Sequence, residues 1–172
     1  MGQHRREIIS WDEIDRLMDH LLPQFETEYD LILAVSPSGV IPGGLLAAAI
    51  GIENILTSLV DFPPETEEDK SKLFLWPNFL TFPDPEDLEG KSVLVVNNAW
   101  GAGRTTRAVQ KRVDTLGGKT CTCVLHYNPY RNLLNVQPDY YGAITDAYII
   151  YPWELDRDGP ERVLLENGGG RG

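Results

Sequence analysis

Two apolar segments, each followed by a glycine-rich turn, most constrain what this chain can fold into. LILAV at residues 31–35 leads into SPSGVIPGG, and KSVLVV leads into NNAWGAGRTT. Short apolar runs bounded by turn residues are typical of strands buried on both faces of a parallel sheet. A helical segment follows each turn: LLAAAIG ends at Gly51, and a second helix is expected from about Thr105 to Leu116, before two glycines. The sequence therefore predicts strand–turn–helix units.

The rest of the chain extends this alternation. Ser10 and Glu13 have the spacing of a helix capping box, and apolar residues at helical spacing continue towards Pro23. Further strands are predicted for ILTSLVD (about residues 54–60), for KTCTCVLHY and for a segment that begins near Tyr140. The predicted fold class is α/β, with a mostly parallel twisted sheet flanked by helices.

The length of 172 residues fits one domain with a sizeable core, expected over residues 1–155. Residues 62–90 contain five prolines and an acidic cluster, and are expected to form a flexible excursion. Within them, LFLW and FLTF predict a small hairpin across Pro77. Residues 156–172 end in GGGRG and are expected to fray.

Composition limits the partners and the compartment. The net charge is −11 and the pI about 4.6, which disfavours general binding to nucleic acid or to an anionic membrane. No segment approaches the length of a membrane span, and the N-terminus lacks the apolar run of a secretory signal. The two cysteines, Cys121 and Cys123, have spacing that suits neither a disulfide nor a metal site, so no metal is expected. We therefore predict a reduced, cytoplasmic protein.

The turn at residues 97–106 is the strongest candidate site. Gly101 and Gly103 allow the backbone to turn tightly and to approach a ligand closely. The N–H groups at the start of the following helix favour an anion, and Arg104, Thr105 and Thr106 add a guanidinium and two hydroxyls. A terminal phosphate fits this turn, although a turn that serves packing alone fits the pattern equally well.

Three segments, in order over residues 30–154, resemble the type I phosphoribosyltransferases, especially the xanthine-guanine and hypoxanthine branch. VLVVNNAWGAGRTT resembles the phosphoribosyl-pyrophosphate signature, which Val96, Gly103 and Thr105 match. LAVSPSGVIPGGLLAAAIG resembles the pyrophosphate loop with its helix, and TDAYIIYPWE resembles the hood on the purine side. The resemblance implies a phosphoribosyltransferase-like, Rossmann-like sheet with a small hood. It also implies purine salvage chemistry, with a nucleotide or sugar phosphate as ligand.

By this resemblance, site roles fall on three groups of residues. The phosphate-binding residues are Ala102, Gly103, Arg104, Thr105 and Thr106; the pyrophosphate loop is Ser36, Pro37, Ser38 and Gly39; the base-side residues are Asn128, Tyr148 and Trp153. A core-packing role is as plausible for Tyr148 and more so for Trp153.

The departures from the family pattern fall on catalytic positions. Asn97 and Asn98 replace the acidic pair that holds the ribose hydroxyls, and Gly101 replaces the aspartate that faces the purine N7. Ala102 lacks the phosphate-facing hydroxyl, and Pro37 stands where the family often has a cation. The sequence therefore offers no catalytic residue that fits the family's chemistry, and Mg²⁺ is expected only if the protein is active.

Three functions remain open at this point. The first is a phosphoribosyltransferase-like pseudoenzyme with weak or lost transferase activity, which binds a nucleotide or a ribose-5-phosphate-like ligand in a sensor or regulatory role. The second is an active purine phosphoribosyltransferase with unusual residues. The third is a protein–protein interaction module with a vestigial pocket, in which Trp76, Trp100 and the acidic excursion form the partner surface. The family's common oligomers leave a homodimer open.

Overall fold

The computed structural model describes residues 5–62 and 77–155, and helices and strands alternate within them. The elements are β1 (Arg6–Ile8), α1 (Trp11–Leu21), β2 (Leu31–Val35), α2 (Val40–Ile50), β3 (Ile55–Asp61), β4 (Asn78–Thr81), α3 (Pro85–Leu88), β5 (Ser92–Trp100), α4 (Arg104–Thr115), β6 (Lys119–Tyr127), β7 (Tyr140–Ile144) and β8 (Tyr148–Ile150). A short 3₁₀ turn, Leu22–Gln24, follows α1.

The predicted capping box sets the start of α1. The Glu13 backbone N–H donates to the Ser10 hydroxyl, and the Ser10 backbone N–H donates to the Glu13 carboxylate at 2.6 Å. These two hydrogen bonds satisfy two N–H groups at the N-terminus of α1 that have no partner within the helix. The helix buries Ile14, Met18 and Leu21 against the sheet, as their spacing predicts.

Six strands form the main sheet in the order β4-β3-β2-β5-β6-β7. All neighbours are parallel except β4, which is antiparallel to β3. Successive side chains of β2 and β5 enter opposite apolar layers: Ile32, Leu94 and Val96 pack with α1 and α2, whereas Leu33 and Val95 pack with α4. Because both faces are covered, these strands read as continuous apolar runs, and the predicted α/β class is confirmed.

A second, two-stranded sheet forms the small hood. Strands β1 and β8 pair in parallel, with Arg6 opposite Tyr148 and Ile8 opposite Ile150. The sequence analysis assigned YPWE and its preceding strand to the hood, but it did not anticipate a strand at Arg6–Ile8. The three residues of β1 are too few to show a pattern of their own, so only their pairing with a distant strand reveals them.

The excursion at residues 62–90 is partly described. Its second half contains β4 and α3, and Arg112 of α4 lies over the rings of both Phe79 and Phe82, at 4.5 and 4.8 Å. Residues 78–81 pair with β3. The other half of the predicted hairpin (residues 73–76, with Trp76), the acidic cluster and the tail at 156–172 lie outside the described residues.

Two further features concern β6 and the helices. Cys121 and Cys123 are free thiols that contact the same apolar layer, as expected for residues two apart in a strand. In residues 5–62 and 77–155, none of the helices has both the length and the apolar character needed to cross a membrane.

Candidate functional site

The carboxyl ends of β2 and β5 bring the two glycine-rich turns together. The Ser38 hydroxyl donates to the Asn97 side-chain oxygen at 2.9 Å. A Cβ at Gly39 would collide with the backbone oxygen of Val96, so only glycine allows this close approach of the two chains. Ligands of open α/β sheets bind at this edge.

A cavity of about 300 Å³ opens beside the second turn. It contains all five residues predicted to bind phosphate, together with two of the three that replace the family's acids. Its lining residues are Phe62, Asn97, Ala99, Gly101, Ala102, Gly103, Arg104, Thr105 and Thr106. The pyrophosphate-loop residues, Asn98 and the base-side residues are not among the described lining.

Strand β5 extends further than predicted. We expected the strand to end at Val96, but Asn97, Asn98 and Trp100 continue it, and Trp100 pairs with Tyr127 of β6. Asparagine has a low intrinsic preference for strands, so the sequence predicts a loop at these positions. The strand tolerates these polar side chains because they lie at its end, beside the cavity and the neighbouring turn.

Asn97 is buried, with 7% of its surface exposed, and its amide joins three segments. Its oxygen accepts hydrogen bonds from the Ser38 hydroxyl and from the Asn98 backbone N–H, at 2.9 and 2.8 Å. Its nitrogen donates to the Thr106 hydroxyl at 3.1 Å. The neutral side chain therefore ties the first turn, β5 and the start of α4 together without a charge.

The residues at the start of helix α4 line the cavity. Gly103 is its N-cap with φ +82°, and among the described residues no side chain caps the helix. The first N–H groups of a helix have no intrahelical partner and carry a partial positive charge. The first turn contains no acidic residue, so this helix start suits an anion.

Trp100 forms the floor beneath this turn. It is 1% exposed, and its indole N–H donates to the Asn132 side-chain oxygen at 3.2 Å. A Cβ at Gly103 would overlap the indole ring. The hypothesis that Trp100 contributes to a partner surface is therefore wrong: the side chain is buried under the turn.

Arg104 also lines the cavity. Its guanidinium carbon is 4.6 Å from the centre of the Phe62 ring, a cation–π distance. Since Phe62 also lines the cavity, this contact places the positive charge beside it. The sequence analysis missed Phe62, because nothing in DFPPE marks this aromatic residue as a neighbour of a turn forty residues away.

The first turn offers few backbone donors. The N–H groups of Ser36, Gly39 and Val40 donate to the backbone oxygens of Ser58, Val35 and Pro37, respectively. Pro37 has no N–H, and its peptide bond to Ser36 is cis. A pyrophosphate at this turn would find these donors already committed to the protein.

The base-side residues have separate environments. The Asn128 side-chain oxygen accepts the Tyr130 backbone N–H at 3.1 Å, so Asn128 stabilises a turn. Trp153 stacks on Tyr151, with ring centres 4.8 Å apart, and also contacts Trp11. Tyr148 in β8 is 47% exposed and presents its aromatic surface to solvent.

The described lining does not fit a magnesium ion. Mg²⁺ is usually bound through one or two carboxylates together with substrate phosphates. Among the described residues, the cavity contains no Asp or Glu, and no cluster of three His, Cys, Asp or Glu side chains could hold a metal. We therefore derive no reaction step through a metal ion.

Tyr151 and His126 form a buried hydrogen-bond chain next to the cavity. The Tyr151 hydroxyl donates to the Asn98 backbone oxygen at 2.9 Å, and His126 Nδ1 lies 2.9 Å from the same hydroxyl. Since the hydroxyl proton goes to Asn98, the geometry suits a neutral His126 that carries its proton on Nδ1. The sequence marks His126 only as a polar residue within the apolar strand CVLHY, a signal that assigns it no role.

Burial lowers the pKa of His126 from 6.5 to about 4, although Glu7 and Glu13 act in the opposite direction. Between these values the unfolded chain binds a proton that the folded chain excludes, so stability should fall as the pH decreases through this window. We expect wild type to lose about 2 kcal/mol more than His126→Gln between pH 7 and pH 4.5. Urea unfolding of both proteins measures the difference, and parallel losses would contradict the prediction.

Comparisons with solved structures identify the class of fold. A purine phosphoribosyltransferase from Pyrococcus horikoshii superposes with a TM-score of 0.70 at 24% identity, covering 88% of this chain and 95% of that one. A hypothetical protein from Neisseria gonorrhoeae with bound ppGpp gives 0.74 at 23% identity, covering 98% and 100%. The xanthine-guanine-hypoxanthine phosphoribosyltransferase of Helicobacter pylori gives 0.69 at 13% identity, covering 93% and 99%.

The chain therefore has the phosphoribosyltransferase fold, as the resemblance implied. No protein-family model matches the sequence, and no curated protein matches it significantly.

Proposed function

We propose that this protein binds a nucleotide or another ribose 5-phosphate compound in the cavity, in a sensor or regulatory role, with weak or lost transferase activity. The observation that carries the proposal is the combination found there: a helix start and an arginine suited to an anion, beside a described lining without carboxylates. Binding and catalysis need different groups, and the groups for binding are the ones present.

The anion-binding part rests on α4. The residues of its first turn, Arg104, Thr105 and Thr106, all line the cavity and supply a guanidinium, two hydroxyls and the first N–H groups of the helix. Charge-assisted hydrogen bonds from such groups are about twice as strong as neutral ones. A terminal phosphate is the ligand group that these donors match best.

The loss of transferase activity follows from the ribose side. Displacement of pyrophosphate from a ribose develops positive charge on the sugar, which nearby carboxylates stabilise. At 4 Å and an effective dielectric constant of 20, such a pair contributes about 4 kcal/mol. Asn97 and Asn98 supply hydrogen-bonding groups without charge, and Gly101 has no side chain to exchange a proton.

The leaving-group side points the same way. Three N–H groups of the first turn are committed to the protein, and Pro37 provides none. The turn therefore gives little support to a departing pyrophosphate, which needs charge stabilisation as it leaves.

The structural neighbours suggest the ligand class. The Neisseria protein was crystallised with ppGpp, and the Pyrococcus and Helicobacter proteins are named as purine phosphoribosyltransferases. We therefore propose purine nucleotides, including guanosine polyphosphates, as the ligands to test first. The Tyr148 ring, exposed in the hood, is a candidate surface for base stacking.

Two measurements test the proposal. Calorimetric titration with GMP, ppGpp and ribose 5-phosphate should show binding, whereas phosphoribosyl pyrophosphate with guanine, xanthine or hypoxanthine and Mg²⁺ should give turnover well below about 1 per second. Turnover at that rate would favour an active transferase instead. If none of these ligands binds, an interaction module with a vestigial pocket would be favoured.

Replacement of Arg104 by alanine should weaken GMP binding by about 10- to 100-fold, because a hydrogen bond to a charged group contributes about 1.5–3 kcal/mol. Arg107→Ala is the matched control: Arg107 is on the same helix, contacts Gln110 and is not part of the described lining. Arg104→Lys, which keeps the charge, should bind with intermediate affinity. Equal effects of Arg104→Ala and Arg107→Ala in calorimetry would contradict a specific role for Arg104.

A further inference from the structure

We propose that Tyr151 is a positioning residue that fixes the hood relative to the ribose side of the cavity, an inference that rests on the proposed function. Tyr151 follows β8 directly and is 1% exposed. Its hydroxyl donates to the backbone oxygen of Asn98 in β5. One side chain therefore joins the hood to the strand that lines the cavity.

The hydroxyl is held from two sides. His126 Nδ1 lies 2.9 Å from it, and the backbone of Ala99, next to Asn98, pairs with His126 in the sheet. The hydroxyl thus contacts both β5 and β6, next to Ala99 of the cavity lining. The two contacts define the position of the ring more narrowly than a single hydrogen bond does.

The ring also has a fixed orientation. It is nearly parallel to Trp153, with an interplanar angle of 11°, and Trp153 in turn contacts Trp11 at the start of α1. Tyr148 lies three residues before Tyr151, in the strand that pairs with β1. Tyr151 therefore links the segment that carries Tyr148 to Asn98.

This role differs from a contribution to stability alone. Under the proposed function, a ligand with a base would contact both the hood and the β5 side, whereas ribose 5-phosphate lacks the base and would depend on the β5 side. Loosening the link between the two should weaken the first kind of ligand selectively. A residue that merely stabilises the fold would change both affinities alike.

The experiment compares wild type, Tyr151→Phe and Tyr140→Phe by calorimetric titration with GMP and with ribose 5-phosphate. Tyr140 is the matched control, because its hydroxyl accepts a hydrogen bond from the Tyr29 hydroxyl at 3.1 Å and lies at the start of β7, away from the cavity. Tyr151→Phe should weaken GMP binding about tenfold and leave ribose 5-phosphate binding within about twofold. Tyr140→Phe should change neither.

A second variant tests the other contact of the same hydroxyl. His126→Leu removes the imidazole and should shift the ratio of the two affinities in the same direction, so the inference does not depend on one protein folding well. Equal weakening of both ligands, or no change with Tyr151→Phe, overturns the role of Tyr151 alone. Absence of binding of both ligands by the wild type overturns the proposed function itself.

Discussion

Replacing Asn98 and Gly101 together with aspartate is expected to raise transferase turnover with phosphoribosyl pyrophosphate and a purine base by at least about 100-fold. A carboxylate at position 98 would stabilise positive charge on the sugar, and one at position 101 could exchange a proton with the base. General acid–base help alone is typically worth about 10²- to 10⁴-fold. Initial rates of nucleotide formation, measured with Mg²⁺ present, give the comparison.

Gly101 lines the cavity, and within the described residues a Cβ there meets no atom within 4 Å. Asn98 is half-buried and stands in β5 between the lining residues Asn97 and Ala99, and aspartate has the same shape. Asn97 is a poorer choice because it is buried, and an ionised carboxylate there would be desolvated.

Gly101→Asn is the matched control for the double variant. With the native Asn98 it has the same shape as the double aspartate variant but lacks both charges. If the neutral control gains as much activity as the charged variant, or if neither gains any, the missing charges do not limit turnover.

Gly103→Ala is expected to lower the free energy of unfolding by about 3 kcal/mol. An alanine at φ +82° is strained by about 1–2 kcal/mol, and its Cβ would overlap the indole of Trp100, which adds the cost of an overpacked site. The same displacement would disturb the start of α4, so GMP binding should weaken as well. Urea unfolding and calorimetry measure the two effects.

Gly101→Ala provides the comparison two residues away. The position has open space among the described residues, and its backbone does not have a positive φ. The free energy of unfolding of the Gly101→Ala variant should differ from that of wild type by less than about 0.5 kcal/mol, as for ordinary surface substitutions. Similar losses of stability at Gly101 and Gly103 would contradict this prediction. They would show that the whole turn is intolerant of side chains, and that the clash with Trp100 is not the specific cause.

The local elements of the fold could be predicted because their signals lie within single segments. The capping box of α1, the apolar run of β2 and the glycine after α2 each depend on neighbours in the sequence, and the structure confirms them. The turn before α4 could be predicted for the same reason, since Gly101 and Gly103 directly precede the helix, which begins at Arg104.

Features that depend on distant contacts could not be predicted. β1 exists through its pairing with β8, and Phe62 reaches the cavity through a contact with Arg104. β5 continues through two asparagines, although asparagine disfavours strands locally. The strand is supported there by hydrogen bonds between Asn97 and the distant Ser38 and Thr106 side chains. No pattern along the chain reports such pairings.

The burial of Trp100 beneath the turn that precedes α4 gives the protein an internal optical reporter. Its indole borders the backbone of Gly103, where a bound anion would change the local field, and indole emission responds to such changes. The chain has four tryptophans, so replacing the other three with phenylalanine would isolate this signal. Occupancy of the turn could then be followed by emission from Trp100, without a label on the ligand.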